Sequence, residues 1–393
     1  MFTEGQSPID FEHRYMGAQY TEEHHAWRRT VRDFLKTEVE PNIEAWEEAG
    51  EFPRELYKKA ADIGLLGLGY PEQYGGTPVD GHLFSMVMSE ELARLGAGGL
   101  GASLLIHSIG LPPILAIGSD ELKQRIAPQI LAGEKVIALG ITEPSGGSDV
   151  ANIHTRATLV DDHYVVNGSK MFITGGMRAD YVTTAVRTGD EGHGGISLLL
   201  IETAAEGFSR TSLKKQGWLC SDTAALYFDN VRVPKENLIG LEGQGFAGIM
   251  YNFNSERMGM VTSCVAHARV CFEDALAWAR HRETFGKRLA DHQVIRHKFA
   301  EMARHINVTQ AYLDQCHSRI EGGESPVADL ALLKVQATRT MEYCAREASQ
   351  IMGGASYMRG ERVERIYREV RVNAIGGGSE EIMLDLAARQ LRI

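Results

Sequence analysis

Two short segments carry residue types whose spacing could do chemistry. The first, Ile141-Thr142-Glu143-Pro144-Ser145-Gly146-Gly147-Ser148-Asp149, crowds hydroxyls and glycines into a loop behind a short apolar run. Glycines let a backbone come close to a ligand, and the N–H groups of such a loop suit an anionic or carbonyl-rich group. The same composition also builds ordinary turns. The second, Asn167-Gly168-Ser169-Lys170-Met171-Phe172-Ile173-Thr174-Gly175-Gly176, sets Phe172 and Thr174 two residues apart, hence on one face of a strand. A ring beside a hydroxyl could cover a flat heterocycle and bond its edge; a core Phe and a solvated Thr would read identically. A third pattern, Gly96, Gly98 and Gly101, satisfies G-x-G-x-x-G. It follows a helical segment, Ser89-Glu90-Glu91-Leu92-Ala93-Arg94, where a dinucleotide fingerprint needs a strand. It reads instead as a small-residue stretch that another chain element or a ligand approaches closely.

These segments need elements to hold them. Residues 1–135 read as an N-terminal helical domain, with apolar residues at helical spacing over His24–Val39, Leu56–Leu66, Leu83–Leu95 and Leu122–Leu131. Residues 136–245 read as a middle β-barrel or sandwich domain. There Val136–Leu139, Tyr181–Val186, Ile196–Ile201 and Ala225–Phe228 are strands, and Asn167-Gly168 between Tyr164–Val166 and Lys170–Ile173 signals a hairpin turn. Residues 246–393 read as a C-terminal four-helix bundle. Ile295, Phe299, Met302 and Ile306 form one buried stripe, Ser325-Pro326 starts the following helix as N-cap and first-turn residue, and Gly353-Gly354 stops it. The fold class is therefore α+β.

Composition narrows the function. The 393 residues suffice for two or three domains, and the formal net charge is −11 with no long basic block, which argues against nucleic acid as a partner. No apolar run reaches the roughly 18 residues of a membrane span. Met1–Glu23 lacks both an apolar core and Arg enrichment, so a cytoplasmic protein, or a mature mitochondrial matrix protein, is expected. Cys220, Cys264, Cys271, Cys316 and Cys344 include no CxxC pair and read as reduced thiols.

The two segments resemble the flavin-contacting motifs of the acyl-CoA dehydrogenase family, T-E-P-x-A-G-S-D and N-G-x-K-x-W-I-T-N. The resemblance continues in Asp229-Asn230-Val231-Arg232-Val233-Pro234 with Asn237-Leu238-Ile239-Gly240, and in Arg282-Glu283-Thr284-Phe285-Gly286-Lys287 with Gln293. Gln350-Ile351-Met352-Gly353-Gly354 and the stretch from Arg371 to Glu381 complete it, in order along nearly the whole chain. It implies FAD as cofactor and acyl-CoA as substrate, dehydrogenated at Cα–Cβ, in fatty acid β-oxidation when the acyl chain is a fatty one. It also implies an electron-transfer flavoprotein as partner and a homo-oligomer, usually a tetramer. By the same resemblance Ile141, Thr142 and Thr174 meet the flavin, Phe172 (more often Trp in the family) lies against one flavin face, and Ser148 meets the pyrophosphate and the substrate side. Arg282, Phe285, Gln293, Gln350, Gly353 and Gly354 hold the adenosine end across a subunit interface, and Ser379 and Glu381 join the cofactor-binding residues.

The family's reaction needs a base for the α-proton, while the β-hydrogen leaves as hydride. Many relatives carry that base in a late I-Y-E-G-T-x-E segment, where this chain reads Ile375-Gly376-Gly377-Gly378-Ser379-Glu380-Glu381. Gly377 cannot take a proton, although its N–H can still donate to the thioester carbonyl. The long-chain and isovaleryl branches place the base on the first long bundle helix, just before an Arg; here that position is Asn254-Ser255-Glu256-Arg257. Glu256 is the candidate base and Arg257 a substrate-side helper; a first-turn acid favoured by the helix dipole is the bland account of Glu256. Glu380 and Glu381 are the rivals and look like first-turn residues behind a Ser379 N-cap. Gly376, where the family often has Tyr, and Gly377 remove bulk beside the thioester, which would admit a branched or bulky acyl group such as a terpenoid acid; the substrate expected is long-chain or branched. An oxidase or monooxygenase on the same scaffold, and a non-catalytic acyl-CoA-binding protein, are the competing functions.

Overall fold

The computed structural model describes residues 19–393, with backbone only for 251–255. The N-terminal stretch read for targeting lies largely outside the described residues, as do the side chains of Asn254 and Ser255. Contacts divide the described residues otherwise than their order: one compact unit gathers 19–44, 80–101 and 257–393, the other 45–79 and 102–256.

The second unit is built on a mixed eight-stranded sheet. Its strands are β1 (Ile137–Gly140), β2 (Arg156–Val160), β3 (His163–Thr174), β4 (Tyr181–Arg187), β5 (Ile196–Glu202), β6 (Phe208–Ser212), β7 (Thr223–Pro234) and β8 (Leu238–Ile239). The order is β6-β7-β3-β2-β4-β5-β8, with β1 parallel to β4. A single pair, Arg156 with Arg187, joins β2 to β4, so two halves meet at a seam. At that seam the buried Arg187 donates to the carbonyls of Ile153 (3.0 Å), Ala151 (2.7 Å) and Gly192 (3.3 Å). Every residue of β5 from Ile196 to Ile201 is buried, the pattern of a strand covered on both faces. Ile196, Leu198 and Leu200 share a core with Ile126 and Ile130 from the helix Asp120–Leu131.

The Asn167-Gly168 signal was misread as a turn. β3 runs unbroken through it, and the turn between β2 and β3 falls at Asp161-Asp162, with Asp161 at φ 55°. Gly168 instead marks a register shift against β7, with φ 144°. A Cβ there would sit 2.7 Å from the Thr155 Cα, so glycine is required by a close backbone approach.

The first unit is helical. After residue 244 five helices follow: Gly245–His281, whose residues up to Glu256 count with the second unit, then Gln293–Glu321, Val327–Met352, Arg362–Ile375 and Glu380–Leu391. Phe299, Met302 and Ile306 are buried in one cluster with Val265, Leu333 and Ile366, as the stripe predicted, while Ile295 packs at its margin. Met86 and Ala93 of the helix Leu83–Ala93 join the same core. That helix is also tied to Glu22–Phe34 by charge: the fully buried Glu91 accepts from Arg28 (2.9 Å) and Arg32 (2.9 and 3.0 Å). Pro326, not Ser325, is the N-cap of Val327–Met352, which starts without a capping side chain. Its end is as expected: Gly353, at φ 62°, follows the last residue, Met352. Gly96 explains the rejected glycine motif. At φ 60°, its Cβ would meet that of Arg362 at 2.8 Å, and the nearby Gly98 N–H donates to Glu369 at 2.8 Å. Among the described residues no single helix is long and apolar enough to cross a membrane, and the five cysteines are free and buried.

Candidate active site

The two chemistry-bearing segments lie side by side in the sheet unit. The loop after β1 makes a tight turn in which Glu143 and Gly146 exchange backbone hydrogen bonds, both at 3.1 Å. The Met171 N–H donates to the Thr142 carbonyl at 2.8 Å, joining the loop to β3. Beneath them runs a buried ion pair. Lys170 Nζ donates to Glu143 Oε1 (2.8 Å) and to the Ile141 carbonyl (3.0 Å), and the Glu143 carboxylate also accepts from Thr155 N (2.9 Å) and His154 N (2.6 Å). Burial pushes the Lys170 ammonium down to about 8, against the pull of Glu143. Burial raises the Glu143 carboxyl, but the Lys170 charge and the hydrogen bonds outweigh it and hold it below its ordinary value.

On this support Thr142 and Thr174 are half-buried and Pro144–Asp149, with Ser148, are exposed. Phe172 stands 68 % exposed at φ 62°, beside a register shift between Lys170 and Ile173. The bulge breaks the simple alternation that put Phe172 and Thr174 on one face. A bulky aromatic held in the left-handed region costs strain that surroundings must impose, which marks the position as shaped for a purpose. A loop of exposed glycines and hydroxyls beside an outward-facing ring fits a cofactor with a flat heterocycle and a pyrophosphate. No atom lies within 4 Å of a Cβ placed on Gly146, so the cradle is open there. A separate cleft of about 420 Å³ lined by Lys58, Asp62, Gln73, Tyr74 and Pro128 contains none of these residues.

The helical unit holds the second group. Arg282 follows Gly245–His281, and Glu283-Thr284 pairs with Lys287-Arg288 in a two-residue hairpin. Phe285 and Gly286, at φ 53° and 77°, form its turn, and the Phe285 ring is 97 % exposed. Gln293, also exposed, opens the next helix. Gln350, Gly353 and Gly354 lie together and exposed where Val327–Met352 ends.

The base candidates separate cleanly. Glu256 is half-buried and is the twelfth residue of Gly245–His281. A helix dipole acts within the first turn only, so the dipole account of this acid falls away. Arg257, the next residue, is buried. Gly376 caps Arg362–Ile375 and Gly377 adopts φ 65°. Glu380 is held by Arg339 through Nε (3.1 Å) and Nη2 (2.9 Å). Glu381 is exposed behind Ser379, whose hydroxyl accepts the Ile382 N–H at 3.4 Å. Its backbone N–H and the Ser379 hydroxyl hold the Glu381 carboxyl below its ordinary value. Both acids have structural partners. Lys334, fully buried, donates to the Gly378 carbonyl at 2.6 Å and fixes the glycine run from behind.

Reading the sequence missed Glu143, Lys170, Arg187 and Lys334. A lysine inside an apolar strand was a usable signal; which acid it meets depends on packing that no spacing rule gives. Among the described residues no three His, Cys, Asp or Glu are grouped to hold a metal.

Helices before and after the sheet in chain order, with a glycine–hydroxyl loop beside an exposed aromatic, match the layout that the flavin reading of the two motifs requires. The chain matches the N-terminal, middle and C-terminal domains of acyl-CoA dehydrogenase over residues 21–134, 138–231 and 243–392. It is 37 % identical to the long-chain specific acyl-CoA dehydrogenase of Sus scrofa mitochondria, over 95 % of this chain and 87 % of that one. A probable acyl CoA dehydrogenase from Mycobacterium abscessus superposes with a TM-score of 0.92 at 46 % identity, covering 94 % and 99 % of the two chains. A glutaryl-CoA dehydrogenase from Mycobacterium smegmatis, solved in complex with FADH2, gives 0.88 at 26 % identity over 95 % of each chain. The chain belongs to the acyl-CoA dehydrogenase family and is an FAD-dependent oxidoreductase that dehydrogenates acyl-CoA.

Proposed function

We propose that the chain converts a long-chain or branched acyl-CoA into its trans-2-enoyl-CoA, with Glu256 as the base and an electron-transfer flavoprotein as acceptor. One observation carries the assignment of the base. The late segment offers glycine where a carboxylate would act and its two acids sit in the first turn of Glu380–Leu391, while Glu256 stands half-buried well inside a long helix, directly before the buried Arg257. Thr142, Thr174, Phe172, Ser148 and the loop backbone would hold FAD at its flavin and pyrophosphate; Arg282, Phe285, Gln293, Gln350, Gly353 and Gly354 would hold its adenosine end in a homotetramer. Bound FAD supplies the acceptor for the β-hydride. The Gly377 N–H donates to the thioester oxygen and acidifies the α-proton, Glu256 takes that proton, and Arg257 steadies the CoA side.

The glycine run supports the substrate reading. Gly376 and Gly377 place no side chain beside the thioester, and Gly377 and Gly378, at φ 65° and 102°, hold backbone conformations that L side chains rarely adopt. Anaerobic titration with acyl-CoA thioesters of several chain lengths, straight and branched at each length, read by flavin bleaching, tests it. Branched or long chains should bleach the flavin at the highest rates. A strict preference for short linear chains would contradict the substrate assignment.

A further inference from the structure

We propose that the buried Glu143–Lys170 pair is a positioning clip for the cofactor, holding the Thr142 loop and the Phe172 strand in the register that binds FAD. The proposal rests on the reading that these two segments form the flavin platform. Lys170 exposes none of its side chain and Glu143 only 3 %. From β3 the ammonium reaches two groups of the loop, the Ile141 carbonyl and the Glu143 carboxylate, which flank Thr142. The carboxylate in turn takes the N–H groups of His154 and Thr155, so it closes the far end of the loop onto its start. Ile141 to Thr155 is thus gathered on one buried point, with Ser148 on the exposed rim between.

A buried ion pair is a poor device for stability alone, because well-packed apolar residues often serve as well or better. Its distinctive property is that it tolerates one arrangement. Here the strand needs that restraint: two residues beyond Lys170 the alternation fails at Phe172, so a change of register would re-aim both Phe172 and Thr174. The backbone bond from Met171 to Thr142 reinforces the same contact.

The test separates binding from stability. Glu143→Gln keeps an acceptor for the loop N–H groups, and the double variant Glu143→Gln/Lys170→Met leaves no charge buried. Apo protein is titrated with FAD by fluorescence quenching, and apo thermal stability is measured alongside. The double variant is expected to melt within a few degrees of the parent yet bind FAD about tenfold or more weakly. Should Glu143→Gln fail to fold, the double variant is read alone. A purely structural pair would move the melting temperature and leave FAD affinity within twofold, which overturns the proposal. Thr142→Val and Phe172→Ala serve as controls. If they weaken FAD binding and the clip variants do not, the clip alone is wrong; if they too leave affinity unchanged, the platform reading and the clip fall together.

Discussion

Three acids compete for one role at the residue scale, and their surroundings sort them. Glu380 gives both arginine contacts of Arg339 a partner, and Glu381 completes a helix start. Such groups contribute through a surface charge pair and a helix start, not through a reacting atom. Glu380→Gln is therefore expected to keep turnover within about threefold, checked by steady-state dye reduction; a large loss would return the late segment to candidacy. Thr142, Phe172, Thr174 and Glu256 could be named from the sequence because short motifs carry them. Glu143 lay inside a quoted motif and still went unassigned, since its partner stands 27 residues away and the link exists only once β3 lies against the loop.

Among the elements, β3 carries Phe172 and Thr174 and was the least well read. An Asn-Gly pair between apolar runs is the usual hairpin signal. Here the same two residues serve a bulge, where Asn167 bonds Asn230 across to β7 (2.9 and 3.2 Å) and Gly168 passes under Thr155. Local chemistry cannot separate these outcomes, because both need a residue free to leave ordinary φ; the approaching neighbour decides. Gly168→Ala would drive a methyl into the Thr155 backbone and is expected to cost about 1–3 kcal/mol in urea unfolding. A neutral result would mean that the close approach is not obligatory. The long helices were legible because their apolar stripes persist over many turns, and Phe299, Met302 and Ile306 are buried as their spacing required. The hairpin carrying Phe285 was legible only through its motif: four paired residues have no periodicity to read.

The whole molecule joins two packing units whose membership does not follow chain order, a feature that no linear reading supplies. Each unit buries a histidine that resists its charge. Burial lowers His107 in the sheet unit and His267 in the helical unit to about 4, from 6.5. Below pH 6.5 the unfolded chain takes up protons that the folded one refuses, so stability falls as pH drops from 6.5 to 4, by on the order of 2–3 kcal/mol per histidine. Urea unfolding across that range should show the loss, and His107→Gln should flatten its slope; an unchanged slope would remove His107 from the account.

Everything in the proposed chemistry depends on a carboxylate from the helix Gly245–His281 taking the α-proton. Glu256→Gln, loaded with FAD and mixed anaerobically with a substrate that bleaches the parent enzyme, tests this most directly. Loss of a general base costs about 100- to 10,000-fold. Bleaching is expected to slow by that factor while FAD content and acyl-CoA binding persist. A variant that bleaches at the parent rate would contradict the assignment.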